Sequence, residues 1–179
     1  MHIKLTNGPP EKYTIGQLRR DNPQVSFPKN IPDATLAEYD VYPLTATPRP
    51  EVTYTQKIEE GAPTLVNGVW VQAWSIVDKT PEEVAEYLEK LQSQIGNATQ
   101  RRLDTFARAR GYDGILSLCT YATSTVDKFA AEGRYGVDAR DATWGSLYAI
   151  FAEIGAGTRP VPDGFEGIEH ELPALVWPE

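Results

Sequence analysis

TPEEVAEYLEKLQSQIGNATQRRLDTFARAR, residues 80–110, decides the fold class. Thr80 and Glu83 have the spacing of a capping box, in which the hydroxyl accepts from the third helical N–H and the carboxylate reaches back to the cap's own N–H. Pro81 suits a first helical position, where an N–H would lack a partner. Gly111 is placed to end the helix in a left-handed residue, and Arg108 and Arg110 sit near the negative end of the helix dipole. Val84, Leu88, Leu91, Ile95 and Ala98 follow one another in alternating four- and three-residue steps, a heptad seam that lasts about two heptads. After Gly96-Asn97 the seam moves one step round, to Leu103, Phe106, Ala107 and Arg110. The pattern predicts a helix that packs on one partner early and another late. It fits a helical bundle within the chain, and it also fits a coiled coil shared between copies. Gly96 marks a place for a kink or break, because an interior glycine costs about 1 kcal/mol relative to alanine.

Upstream, the pattern is of short strands and turns. HIKLT, residues 2–6, reads as an edge strand closed by Asn7-Gly8-Pro9-Pro10. Thr14 caps a short helix over IGQLRRDN that Pro23 stops, and Asp33 caps a second over ATLAEY. Val41-Tyr42-Pro43-Leu44 leads into TATPRPE, which reads as a semi-extended connection. From Glu51 to Val77 the pattern is strand, and Asn67-Gly68 between PTLV and VWVQAWSIV signals a hairpin, because both turn residues tolerate positive φ. In the second strand Trp70, Gln72, Trp74 and Ile76 share one face, with Val69, Val71, Ala73, Ser75 and Val77 on the other. Apolar residues on both faces predict a strand covered on both sides. Trp70 and Trp74 fit a small core, and equally an anchor against a partner subunit.

Downstream, Asp113 is placed to cap GILSLCTYAT, a buried apolar segment in which Cys119 is a structural thiol. Ser124 or Thr125 begins a second long helix, with Phe129, Gly133, Val137, Arg140, Trp144, Leu147, Phe151 and Ile154 at helical spacing. Gly133, Gly136 and Gly145 within it suggest close approach by a neighbouring backbone. Gly155 and Gly157 end it, and the tail LPALVWPE reads as an extended arm with Leu175 and Trp177 as anchors. The fold class is α+β. A small β-rich domain with a hairpin and short helices covers residues 1–79, and a helical bundle with two long helices, ending in the arm, covers 80–179.

A net charge of -8 and a pI near 4.8 argue against a nucleic-acid partner, whose phosphates call for clustered Lys and Arg. No apolar run approaches the roughly 20 residues needed to span a bilayer, so no membrane insertion is expected. The N-terminus lacks the features of a signal peptide, which predicts synthesis and folding in a cytoplasm. Arg101, Arg102, Arg108 and Arg110 form a basic cluster, but Asp104 interrupts it and a solvated or ion-paired helix face explains it. Asp138 with Asp141, and the group Glu166, Glu169, His170 and Glu171, are the only carboxylate clusters that invite a metal or acid–base reading. Neither has a further ligand or nucleophile at fixed spacing, and phosphate-loop, dinucleotide and zinc motifs are missing. The expectation is a protein with no enzymatic activity, no metal and no cofactor. A glutamate pair for sugar hydrolysis is the distant alternative.

Long strings carry a resemblance. YTIGQLRRDNPQVSFPKN at 13–30, VYP at 41–43, RARGYDGILSLCTYATS at 108–124, KFAAEGRYGVDARDATW at 128–144 and GTRPVPDGFEGIEHELPALVWP at 157–178 resemble tail and tail-fibre-associated proteins of tailed bacteriophages and prophages. The resemblance covers most of the chain, with residues 45–70 least distinctive, and it implies no catalytic residue. It implies a virion structural protein of the tail tip, baseplate or fibre attachment, made in the host cytoplasm and held by contacts to copies of itself and other tail proteins. A tail-fibre assembly chaperone that leaves before the particle matures is the alternative, and a cell-wall hydrolase a distant one. The residues expected at contacts are Trp70, Trp74, Val84, Leu88, Leu91, Ile95, Leu175 and Trp177.

Overall fold

Short apolar strands broken by Gly and Pro pairs can bury a face only by pairing in a sheet, and five of them do so in a computed structural model that describes residues 1–178. β1 (His2–Lys4), β2 (Glu11–Tyr13), β3 (Val41–Thr45), β4 (Gln56–Val66) and β5 (Val69–Asp78) form one sheet in the order β2-β1-β3-β5-β4. The chain divides into two compact units, Met1–Val84 and the residues from Ala85 onward. The division falls one turn inside a long helix, slightly past the expected boundary at 79/80. The fold is mixed α+β.

β3 is formed by Val41-Tyr42-Pro43-Leu44, which the sequence left without an element of its own, together with Thr45, the first residue of the expected semi-extended connection. Its first three residues pair antiparallel with β1, His2 opposite Pro43 and Lys4 opposite Val41. Its last two, Leu44 and Thr45, pair parallel with β5 opposite Trp70 and Val71. Pro43 therefore occupies a place where one side of the strand carries a ladder and the missing N–H breaks no bond. The two outermost strands also meet, since the Lys12 ammonium pairs with the Glu60 carboxylate. Four strand spacings of about 4.8 Å would keep those residues far apart in a flat sheet, so this sheet curls strongly.

α1 (Ile15–Asp21) and α2 (Asp33–Ala37) lie against this sheet. Tyr13, Leu18, Leu36 and Val41 form the buried cluster of the first unit, with Phe27 and Tyr39 edge-on at 5.3 Å beside it. Thr14 caps α1 as expected, and Gln17 completes a capping box with it. Asp33 is not a cap but the first helical residue, where its charge suits the helix dipole; Pro32 precedes it with extended backbone. The Asn67-Gly68 hairpin is present, with φ of 49° and 79°. β4 starts at Gln56 rather than Glu51, and one extra residue between Gly61 and Thr64 forms a bulge that accommodates Pro63. The expectation that the hairpin strand is covered on both faces fails: no residue of β4 or β5 is buried.

In the second unit, α3 (Pro81–Arg108) runs unbroken through Gly96. Thr80 and Glu83 form the expected box, with Glu83 N–H donating to Thr80 Oγ1 at 3.2 Å and Thr80 N–H to Glu83 Oε2 at 2.8 Å. Gly111 has φ of 87° beyond its end. The buried residues of α3 are Leu91, Ile95, Thr99, Leu103 and Ala107, a row stepping by four. Each step overshoots a 3.6-residue turn by about 40°, so the row winds round the helix. Leu91 and Ile95 meet Leu147, Ile150, Ile168 and Leu172, whereas Leu103 and Ala107 meet Ile115 and Leu118, and Trp144 flanks both clusters. The helix packs on one set of residues early and another late, as the drifting seam suggests.

α4 (Ile115–Thr120) takes its cap from a distance. Ile115 N–H donates to Asp104 Oδ1 of α3 at 2.9 Å, and Asp113 is not the cap. α5 (Asp127–Gly155) starts after Ser124 and Thr125, with Val126 as its uncapped flank. Its buried face, Ala130, Glu132, Gly133, Gly136, Ala139, Thr143, Leu147 and Ile150, is rotated from the expected one so that small residues meet α4 and the turn after it.

Two of the three interior glycines of α5 are explained by that approach. A Cβ on Gly133 would lie 2.2 Å from the Ala122 nitrogen, and one on Gly136 would lie 2.7 Å from Leu118 Cγ, whereas one on Gly145 meets nothing within 4 Å. Gly133→Ala should therefore destabilise the second unit by about 3 kcal/mol in denaturant unfolding, through forced backbone displacement. Gly145→Ala in the same assay should stabilise it by about 1 kcal/mol.

Candidate interaction surfaces

With no residue in a core, the β4–β5 ribbon presents apolar side chains outward. Leu65 is 57% exposed, Val66 49%, Val69 48% and Ile76 48%. Three of these sit at the tip, where Val66 faces Val69 and Leu65 faces Trp70 across the turn. Trp70 and Trp74 are half-buried, and Trp74 has partners within its own unit. Its Nε1 donates to the Thr47 carbonyl at 3.2 Å, and the Arg49 guanidinium lies 5.0 Å from its ring centre. Thr47 Oγ1 donates in turn to the Gln72 carbonyl at 2.7 Å, so the proline-rich stretch before Glu51 lies along β5. Trp74 is held in place, and the tip residues and Ile76 are left uncovered.

The α3 seam is divided. Leu91 and Ile95 are buried among residues of their own unit, while Val84 and Leu88 are half-exposed. Leu88, Leu91, Ile95, Phe151 and Ile154 line a small apolar groove between α3 and the end of α5. The two deepest seam residues thus meet partners inside the chain.

The tail is extended, but it is docked on the second unit. Leu172 is buried, and Leu175 and Trp177 pack on the cluster of Leu103, Ala107, Ile115 and Leu118. The Trp177 ring stacks on Phe106 at 4.2 Å, and the Arg110 guanidinium lies 4.5 Å from it. Arg110 also pairs with Glu132, Nη1 to Oε1 at 2.5 Å, and the Tyr112 hydroxyl donates to Glu132 Oε2 at 2.5 Å. Glu132 is only 3% exposed. The Tyr112 bond and the Arg110 charge outweigh burial and hold its carboxyl below the usual carboxylate range. Burial and the same bond push the Tyr112 phenol up to about 12.

Several of the groups considered for chemistry are held by near neighbours. Asp141 pairs with Arg140 at 2.8 Å, Arg108 donates to the Asp113 carbonyl and Arg102 to the Pro173 carbonyl, and His170 is exposed 3.8 Å from Glu171, which pairs with Arg159. Burial raises the Cys119 thiol, the opposite of what a nucleophile needs. Among the described residues no three His, Cys, Asp or Glu side chains converge as a metal site would require, and no helix is long and apolar enough to cross a membrane.

Glu132 and Tyr112 are absent from the sequence expectations, and Arg110 enters them only as part of a basic cluster on a solvated or ion-paired helix face. A signal was available in the sequence: a carboxylate between Ala131 and Gly133 on a helix of small residues has no room to leave a packed face. The chain matches no known protein family, no characterised protein and no solved structure.

Because its folded-state pKa is depressed, Glu132 contributes stability that is full above the ordinary carboxylate range and is lost as pH falls through the depressed value. Glu132→Gln should cost about 2 kcal/mol at pH 7 and flatten the acid limb of a pH series of denaturant unfolding. An unchanged acid limb would assign that limb to other carboxylates.

Proposed function

We propose that this chain is a structural component of a bacteriophage tail, placed at the tail tip, baseplate or fibre attachment. It acts through contacts with copies of itself and with other tail proteins, without catalysis. The observation that carries the assembly reading is the β4–β5 ribbon, a pair of ten- and eleven-residue strands with no buried side chain and an apolar tip at Leu65, Val66 and Val69. A ribbon of that kind is of little use to an isolated unit and suits one that a partner surface will cover. The strings at 13–30, 108–124, 128–144 and 157–178 that resemble phage tail proteins support the setting. The helical part, read as a bundle, serves as the body that presents the contact surfaces.

Mass spectrometry of gradient-purified particles should find the chain at a fixed ratio to the other tail proteins. Absence from particles while the lysate holds it in quantity would make it an assembly chaperone instead. Leu65→Asp combined with Val69→Asp touches no core residue, so the variant should fold with the wild-type unfolding midpoint and yet be lost from particles.

A further inference from the structure

The hold on the tail is made by side chains alone. From Pro173 to Pro178 no main-chain group bonds another main-chain group among the described residues. Two side chains grip the tail's backbone: Arg102 Nη2 donates to the Pro173 carbonyl at 2.9 Å, and Val176 N–H donates to the Tyr135 hydroxyl at 2.7 Å. The rest is Leu175 and Trp177, the latter ringed by Phe106, Tyr112, Tyr135 and Arg110, with ring centres at 4.2, 6.4 and 6.2 Å and the guanidinium at 4.5 Å. The tail turns away from the body at a defined place. Leu172 is buried and fixed by its N–H to the Glu169 carbonyl, and its extended backbone, φ -77° and ψ 147°, is what a following proline imposes.

We propose that the arm Pro173–Pro178 exchanges between copies, seating Trp177 in the groove of Phe106, Arg110, Tyr112 and Tyr135 on a second copy of this chain. The occupant is the segment that fills the groove here, and an identical groove on a second copy offers it the same stack, the same cation contact and the same two backbone grips. Departure breaks no ladder, so the unseated state loses only contacts that the exchanged state restores. Six residues reach about 20 Å from the hinge at Leu172, which limits how far apart the two grooves lie. Within one chain the arm is present at an effective concentration on the order of millimolar, so exchange competes where copies are crowded together. The idea rests on the self-association in the proposed function and is independent of residence in the virion.

Sedimentation equilibrium of the purified full chain, from about 10 μM to about 1 mM, tests it, because that range crosses the effective concentration of the tethered arm. The wild type should pass from monomer to dimer. Full-length Trp177→Ala and Phe106→Ala chains, each with a weakened seat for its own arm, should associate at least about tenfold more tightly when mixed than the wild type does with itself, because the intact arm of one then fills the intact groove of the other without an equal tethered competitor. A synthetic peptide of residues 171–179 should bind the full-length Trp177→Ala chain by calorimetry and dissociate the wild-type dimer. A wild type still monomeric at the top concentration, or a mixture of the two variants that associates no more tightly than either alone, overturns the proposal. If circular dichroism shows either variant unfolded, the wild type carries the test with the peptide alone, and a wild-type dimer that excess peptide leaves intact overturns the proposal as well.

Discussion

A buried row that advances by four residues on a helix of 3.6 residues per turn cannot face one partner for long, and the second unit follows from that constraint. Leu91 and Ile95 turn toward the far half of α5 and the segment around Ile168, and by Leu103 and Ala107 the row has wound round to α4 and the tail. Trp144 spans the change, touching both clusters while lying against Gly96. A strict heptad seam would instead have kept one stripe fit for a long parallel partner. The winding row distributes the helix among several short contacts within its own chain. It also brings Asp104 to the start of α4, where its carboxylate supplies the cap that the local sequence does not.

The same economy explains why the tail is a well-placed but lightly held element. Arg110, at the end of α3, meets Glu132 on one side and Trp177 on the other, so a buried carboxylate and an aromatic anchor share one cation. Glu132 needs that cation because a nearly buried charge without partners is costly. The first unit has the opposite character. Its core rests on Tyr13, Leu18, Leu36 and Val41, and the long ribbon contributes nothing to that core. Leu65, Val66, Val69 and Ile76 of β4 and β5 are left uncovered by the folded chain.

Features fixed by neighbours in sequence were legible. The Thr80–Glu83 box, the cap at Thr14, the Asn67-Gly68 turn and the left-handed Gly111 all depend on residues within a few positions of one another. Features fixed by distant partners were not. The stretch 41–44 carried no strand signal of its own, and its place in the sheet comes from β1 and β5 sharing β3 along its length, while Asp113 stood where a cap belongs and Asp104 of another helix did the capping. Apolar residues on both faces of β5 suggested two covered faces, but a sequence pattern reports which residues share a face and not whether anything lies on it. Of the expected contact residues, Leu91, Ile95, Leu175 and Trp177 pack within the chain, Trp74 is held by Thr47 and Arg49, and Trp70, Val84 and Leu88 keep part of their surface open.

The claim that the ribbon is a contact surface is open to direct measurement by hydrogen exchange, comparing amides of residues 56–78 in the free chain with those in assembled particles. A ribbon with no buried side chain opens readily, so its amides should exchange fast in the free chain and slow down markedly on assembly. Equal exchange in the two states, with protection gained elsewhere or nowhere, would contradict the account.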